Sequence, residues 1–140
     1  MMTFMSSSPE ETMDIGRQIA SYLKAGKSLL FRGEMGAGKT HLTKGIASYF
    51  GADANDVASP TFAIVNEYEA RTPIYHFDLF RITNLQDLYA MGFFDYVGQD
   101  GICIIEWSEN IDDLQSYLED YCVVEIDKTG DSTRTIVLID

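Results

Sequence analysis

Hydrophobic residues recur every three or four positions in two segments near the start of the chain, and this spacing predicts two helices. Ile15, Ile19 and Leu23 form one apolar stripe, which follows a serine–proline capping signal and ends before Gly26. A second stripe predicts a helix over residues 40–50 that also ends at a glycine.

Alternating or continuously apolar segments in the rest of the chain predict β-strands. The predicted strands are residues 28–32, 62–68, 74–79, 102–106, 122–126 and 135–139. Two shorter helices are predicted over residues 84–90 and 111–118. Because strands alternate with helices, we expect a three-layer α/β fold with a mixed, mostly parallel sheet. Residues 1–140 should form a single domain, with residues 1–8 as a loose N-terminal segment.

Charge is distributed unevenly along the chain, whose formal net charge is −12. Residues 1–50 carry six basic and four acidic groups, whereas residues 51–140 carry four basic and 18 acidic groups. A chain this acidic lacks the cations with which proteins neutralise nucleic-acid phosphates, so we expect neither DNA binding nor strong tRNA binding by the chain alone. An anion site is expected in the basic N-terminal part.

Three further observations favour a cytoplasmic protein that does not enter a membrane. No apolar run approaches the roughly 20 residues that span a bilayer. Residues 1–9 have neither the basic nor the apolar region of a secretory signal. Cys103 and Cys122 lie in apolar runs without ligand spacing, which is typical of reduced core cysteines.

The strongest chemical signal is a glycine-rich segment between a predicted strand and a predicted helix. It matches the P-loop (Walker A) pattern and consists of Gly33, Glu34, Met35, Gly36, Ala37, Gly38, Lys39 and Thr40. Glycines allow successive backbone N–H groups to point at phosphate oxygens, and the following helix presents its positive end there. Lys39 is expected to contact the β- and γ-phosphates, and the Thr40 hydroxyl to coordinate Mg²⁺. The fold is therefore expected to be P-loop NTPase-like.

A P-loop enzyme needs a further carboxylate near the metal, and two predicted strands end in one. Asp78 ends the strand that begins at residue 74, and Glu106 ends the strand that begins at residue 102. Parallel strands place their carboxyl ends at the same edge of a sheet, so both carboxylates are expected near the P-loop. From position alone, each is equally well explained as an ordinary surface acid. Thr61 lies in a loop after the P-loop helix and is either a turn residue or a sensor of the γ-phosphate.

Three other residues have a structural and a functional interpretation. Trp107 directly follows Glu106, so it either packs at a strand end or contacts the nucleotide. His76 shares a strand face with Asp78 and is suited to a structural hydrogen bond or to catalysis. His41 follows Thr40 and is expected to be a helix residue close to the phosphates.

Five segments, in this order, resemble the TsaE (formerly YjeE) family of small bacterial P-loop ATPases. They are GEMGAGKTHLTKGI at 33–46, SPTF at 59–62, EY at 67–68, HFDLFR at 76–81 and IEW at 105–107. The first is common to P-loops in general, whereas the others together are specific. The resemblance implies ATP hydrolysis in support of N6-threonylcarbamoyladenosine formation at position 37 of tRNAs that read codons starting with A. It also implies protein partners, TsaB and TsaD, of which TsaD carries the transfer chemistry, so that tRNA is met only through the complex.

The resemblance also assigns roles to single residues. Residues 33–41 and Trp107 would contact ATP, and Thr40 and Glu106 would hold Mg²⁺, directly or through water. Asp78 would position the attacking water or act as base, and Thr61 would belong to a mobile loop near the γ-phosphate. The chain departs from the family at His41, where a hydroxyl residue is common, and at Phe80, where tyrosine is usual.

Two other functions are compatible with a P-loop. One is a small kinase that phosphorylates a metabolite. Such kinases need an arginine-bearing lid, for which the chain offers Arg71 and Arg81 but no long lid segment. The other is a nucleotide-dependent switch that binds without turnover. Phosphate release separates an ATPase from a switch, and phosphate transfer to small acceptors identifies a kinase.

Overall fold

The computed structural model describes residues 1–34, 36–58 and 65–140. Its strands are β1 (Met2–Ser6), β2 (Ser28–Arg32), β3 (Val65–Tyr68), β4 (Ile74–Asp78), β5 (Ile102–Glu106), β6 (Tyr121–Lys128) and β7 (Arg134–Ile139). Its α-helices are α1 (Pro9–Ala20), α2 (Lys39–Tyr49) and α3 (Leu85–Ala90). Within the described residues the strands form one seven-stranded sheet, in the order β1-β7-β6-β2-β5-β4-β3. The four central strands, β6, β2, β5 and β4, run parallel, and the remaining pairings are antiparallel.

The sheet separates two apolar cores, as the predicted three-layer α/β fold requires. Leu29 and Phe31 of β2 belong to the core under α1 and α2, whereas Leu30 belongs to the opposite core. That second core contains Leu88 of α3 and Phe93 of the following short helical turn. Side chains alternate between the faces of a strand, so a continuously apolar strand such as β2 fits only at the centre of a covered sheet.

Most predicted elements are present with small differences at their ends. Strands 28–32 and 102–106 match their predicted limits, and Asn84 caps α3 by accepting a hydrogen bond from the Asp87 N–H. The first helix begins after Ser8, which caps it, and ends at Ala20. Of the predicted strand 62–68, the part from residue 65 is β3, and residues 62–64 lie outside the described residues.

Two local predictions are wrong, each because of a feature that local periodicity does not show. Residues 1–8, expected to be loose, include β1, which pairs with β7 through the register Met2↔Leu138 to Ser6↔Arg134. The segment 111–118 contains only a 3₁₀ turn, Leu114–Tyr117. Asp113 precedes that turn in the left-handed conformation, with φ 56°, and this interrupts a right-handed helix.

Across residues 1–34, 36–58 and 65–140, no helix has both the length and the apolar character needed to cross a bilayer.

Candidate nucleotide-binding site

The glycine-rich segment connects the carboxyl end of β2 to the amino end of α2, as the sequence predicts. Gly33 passes so close to β6 that a Cβ atom there would lie 2.5 Å from the Ile126 carbonyl oxygen. Gly38 is the N-cap of α2 and has a φ of 106°, which glycine adopts without strain. Gly38 has no side chain with which to cap α2. The first N–H groups of the helix therefore donate no hydrogen bond to an N-cap side chain, which suits a helix end that binds an anion. Met35 lies outside the described residues.

Lys39 and Glu106 form a buried ion pair at the mouth of this loop. Lys39 Nζ lies 3.4 Å from Glu106 Oε1, and the two side chains are 9% and 8% exposed. The pair forms because β5 lies next to β2 in parallel register, with Glu106 opposite Phe31. The P-loop lysine is therefore held beside a carboxylate.

Asp78 and Glu106 are register partners at the ends of β4 and β5. The parallel order of these strands thus brings both predicted carboxylates to the sheet edge that carries the P-loop. The Asp78 side chain is half-buried, and its Oδ1 accepts a hydrogen bond of 2.9 Å from the Phe80 N–H. Asp78 keeps a second carboxylate oxygen with which to contact a water molecule.

His76 is fully buried and links Glu106 to a tyrosine on β3. Its Nε2 lies 2.5 Å from Glu106 Oε2, and its Nδ1 lies 3.1 Å from the Tyr68 hydroxyl. Tyr68 in turn donates a 2.9 Å hydrogen bond to the carbonyl oxygen of Ala58. Of the two interpretations of His76, the structure bears out the structural hydrogen bond. Sequence reasoning gave Tyr68 no role, and only its position opposite Ile74 in the β3–β4 pair brings it to His76.

The ionised form of Glu106 is favoured despite its burial. Desolvation alone would raise the pKa of Glu106, but the hydrogen bond and charge of His76 and the charge of Lys39 outweigh it and lower the pKa below its usual value. Glu106 is therefore a carboxylate at neutral pH, so His76 Nε2 carries the hydrogen that the two groups share. Burial raises the pKa of the Tyr68 phenol, which stays protonated as the donor to the Ala58 carbonyl oxygen.

Trp107 lies with its ring beside the Lys39 ammonium group. Its ring centroid lies 5.2 Å from Lys39 Nζ, a cation–π distance, and its ring meets the exposed ring of Phe80 edge-on. The backbone of Trp107 is left-handed, with φ 62°, a conformation that costs a non-glycine residue about 1–3 kcal/mol. Trp107 therefore lies at the end of β5 next to Lys39, and its contact with a nucleotide stays a prediction.

Arg134 of β7 contacts the P-loop. Sequence reasoning missed this contact because it considered only Arg71 and Arg81. The Arg134 guanidinium donates to the carbonyl oxygens of Ala37, at 2.9 Å, and Gly36, at 3.2 Å. It also donates to the carbonyl oxygens of Gly130 and Thr133. Arg134 and Ala37 are 97 residues apart, so no sequence pattern short of the full sheet order could pair them. Arg134 thus links β7 to the P-loop through two backbone carbonyl oxygens.

The remaining predicted site residues are placed as follows. Glu34 and Gly36 are exposed, and His41 is half-buried in the first turn of α2. Thr40, also in that turn, is half-buried. Thr61 lies outside the described residues.

The donor set fits magnesium better than a softer metal. Mg²⁺ prefers oxygen ligands and keeps several waters, so one hydroxyl and one carboxylate, as in Thr40 and Glu106, suffice together with phosphate oxygens. The described residues include no cluster of three or more histidine, cysteine or acidic side chains able to hold an ion by themselves. Any metal here would thus need phosphate oxygens or water as further ligands.

Comparisons with known proteins identify the family of this chain. The family model described as "Threonylcarbamoyl adenosine biosynthesis protein TsaE" matches residues 6–136. The tRNA threonylcarbamoyladenosine biosynthesis protein TsaE of Treponema pallidum is 31% identical over 98% of this chain and 99% of its own length. The protein of the same name from Bacillus subtilis is 35% identical over 91% of this chain and 78% of its own. The crystal structure of Bacillus subtilis YdiB superposes with a TM-score of 0.75 at 29% identity, covering 98% of this chain and 83% of that one. This chain belongs to the TsaE family.

Proposed function

We propose that this protein is an Mg²⁺-dependent ATPase that supports N6-threonylcarbamoyladenosine formation at position 37 of tRNA, together with TsaB and TsaD homologues. Membership of a family named for threonylcarbamoyladenosine biosynthesis supports the pathway. The ATPase activity is supported chiefly by one observation, the buried Lys39–Glu106 pair at the mouth of the glycine-rich loop. The proposal places the protein in the cytoplasm, where tRNA is modified.

Binding of ATP would begin with an exchange of partners at Lys39. Its ammonium group contacts the Glu106 carboxylate and the Trp107 ring. A triphosphate offers a higher negative charge at the end of α2, so Lys39 would turn to the β- and γ-phosphates and release Glu106 Oε1. The released carboxylate oxygen and the Thr40 hydroxyl would then hold Mg²⁺. When bound, this ion neutralises charge on the β- and γ-phosphate oxygens.

Hydrolysis requires a water molecule in line with the bond between the γ-phosphorus and the bridging oxygen. Asp78, beside Glu106 at the sheet edge, would accept a proton from that water as its oxygen bonds to the γ-phosphorus. The bond to the bridging oxygen breaks, and ADP leaves with the electron pair. His76 would act indirectly, by holding Oε2 of Glu106 in one orientation.

Slow turnover by the isolated chain is part of this proposal. An arginine that contacts the transferred phosphoryl group contributes roughly 10³–10⁵ in rate. Arg134 lies next to the P-loop, but its guanidinium donates to backbone carbonyl oxygens of the loop and of Thr133. Arg81, three residues after Asp78, is the internal candidate for such an arginine. We expect the partner proteins to supply what the isolated site lacks.

Calorimetric titration with ATP–Mg²⁺ tests the site. Lys39→Ala should abolish tight binding, while the matched control Lys24→Ala, an exposed lysine after α1, should bind like the wild type. Near-wild-type circular dichroism of Lys39→Ala would show that the fold is kept. Wild-type affinity in a folded Lys39→Ala protein would refute the P-loop assignment.

Phosphate release tests the reaction, measured for the chain alone and with purified TsaB and TsaD homologues of the same organism. We expect slow release alone, faster release in the mixture, and weak tRNA retention by the chain alone at physiological salt. Fast release by the chain alone, or strong tRNA binding by it, would contradict partner dependence. Binding without release in the mixture would identify a switch, and transfer to a small acceptor would identify a kinase.

A further inference from the structure

Three aromatic side chains form an exposed ladder on the side of the sheet that carries α3. Tyr89 and Tyr117 are 59% and 43% exposed, and Phe94 lies half-buried between them. The ring centroids of Tyr89 and Phe94 are 4.5 Å apart, and those of Phe94 and Tyr117 are 5.9 Å apart. We call Tyr89, Phe94 and Tyr117 the aromatic ladder.

The aromatic ladder is held by the core beneath it. Phe94 packs edge-on against Phe93, which is fully buried, at a centroid distance of 5.2 Å. Leu88 of α3, which precedes Tyr89, and Leu118, which follows Tyr117, are both buried in that core. Rings fixed in this way lose little conformational entropy when they are covered, which is what makes aromatic residues effective at the centre of an interface.

The part of the sequence that carries the aromatic ladder has charge of one sign. From Ile82 to Asp127 the sequence contains eleven aspartates and glutamates and no lysine, arginine or histidine. Exposed carboxylates lie within a few residues of every ring, at Asp87, Asp95, Asp112 and Asp113. A surface that combines fixed aromatic rings with carboxylates matches arginine, whose guanidinium stacks on rings and forms paired hydrogen bonds with carboxylates.

We propose that the aromatic ladder is a docking surface for a partner protein that presents arginine side chains. An anionic membrane or a nucleic acid would be repelled by these carboxylates, and a second copy of this chain would bring its own net charge of −12. The aromatic ladder lies on the opposite face of the sheet from α1 and α2. Its contacts with a partner are therefore separate from the P-loop, which leads into α2. This inference rests on the proposed function in that the partners to be tested are the TsaB and TsaD homologues.

The test measures binding of the fluorescently labelled full chain to the purified TsaB–TsaD pair of the same organism, with ATP–Mg²⁺ present. The double variant Tyr89→Ser/Tyr117→Ser should bind at least about tenfold more weakly, as loss of interface anchors does. Tyr22→Ser is the matched control, because Tyr22 is 65% exposed and follows α1 on the other face. It should bind within about twofold of the wild type.

Charge is tested separately with Asp87→Lys/Asp95→Lys. This variant should also bind more weakly, and its affinity should fall less steeply with added salt than that of the wild type. Nucleotide affinity, measured by calorimetry in the absence of partners, should be unchanged in all these variants.

Each outcome has a distinct meaning. If the wild type binds and the ladder variant binds as well as Tyr22→Ser, the docking surface is refuted while the proposed function stands. If the wild type does not bind TsaB–TsaD at all, both the proposed partnership and the docking surface fail. If sedimentation shows that the wild type self-associates and only the ladder variant is monomeric, the surface joins two copies of this chain and the inference is wrong.

Discussion

Replacement of Glu106 by glutamine should destabilise the protein in a pH-dependent way. The Glu106 carboxylate contacts Lys39 through one oxygen and His76 through the other, and its side chain is 8% exposed. Glutamine keeps the volume and one oxygen but removes the charge, which leaves the Lys39 ammonium without this anion. Loss of one partner of a buried pair typically costs about 3–5 kcal/mol, and a hydrogen bond to a charged group about 1.5–3 kcal/mol.

Because Lys39 lies at the mouth of the loop, where water and the Trp107 ring can compensate in part, we expect about 2–3 kcal/mol of lost stability at pH 7. For a chain of this size the melting temperature should fall by about 10 °C. The free energy of unfolding is measured by urea denaturation with metal removed, for Glu106→Gln and for the control Glu109→Gln. Glu109 is an exposed carboxylate three residues away, and its substitution should change stability by less than about 0.5 kcal/mol.

The pH dependence follows from the lowered pKa of Glu106. A carboxyl whose pKa is lower in the folded than in the unfolded protein stabilises the fold fully above its unfolded value, about 4.3. That stabilisation is lost as the pH falls through the folded pKa, where the wild-type side chain also becomes neutral. The difference in the free energy of unfolding between the wild type and Glu106→Gln should therefore have its full size at pH 7 and approach zero at low pH. A difference in the free energy of unfolding that is equal at about pH 7 and about pH 3.5 would show that the Lys39–Glu106 pair stabilises the fold by packing rather than by charge.

The rate of phosphate release by Glu106→Gln should fall by a factor of about 10² or more, while its affinity for ATP changes less. Wild-type turnover in Glu106→Gln would refute its place in the metal site.

Three other outcomes are expected. Asp78→Asn should bind ATP with near-wild-type affinity but release phosphate about 10² times more slowly, and unchanged release would exclude it as the base. Trp107 fluorescence should change on ATP–Mg²⁺ binding, because its ring lies 5.2 Å from the Lys39 ammonium that would move, and a silent signal during calorimetrically proven binding would contradict that movement. Arg134→Gln should weaken ATP binding about tenfold, because it removes two hydrogen bonds to P-loop carbonyl oxygens. Arg71→Gln, which loses a comparable hydrogen bond to the Tyr49 carbonyl oxygen, should leave ATP affinity unchanged. Equal ATP affinities of the two variants would refute a role of the Arg134 hydrogen bonds in ATP binding.

Several features of this protein follow from its sequence because their causes are local. A capping serine with proline at the next position is enough to begin α1, and a continuous apolar run is enough to identify β2 and β5 as buried strands. The P-loop is contiguous in sequence, so the glycines, the lysine and the helix that follows are visible together. The convergence of Asp78 and Glu106 needed only one further assumption, that their strands run parallel.

Tertiary structure alone decided the contacts that depend on sheet order and register. Nothing near Met2 indicates that β1 pairs with a strand at the other end of the chain, and nothing near residue 113 indicates a left-handed backbone. His76 meets both Glu106 and Tyr68 because β4 lies between β5 and β3, and a shift of one residue in either register would turn the side chains to opposite faces. Arg134 reaches the P-loop for the same kind of reason, since β7 lies beside β6, against which the glycine-rich loop is packed. Local sequence specifies which groups a segment carries, but the order in which strands assemble specifies which groups meet.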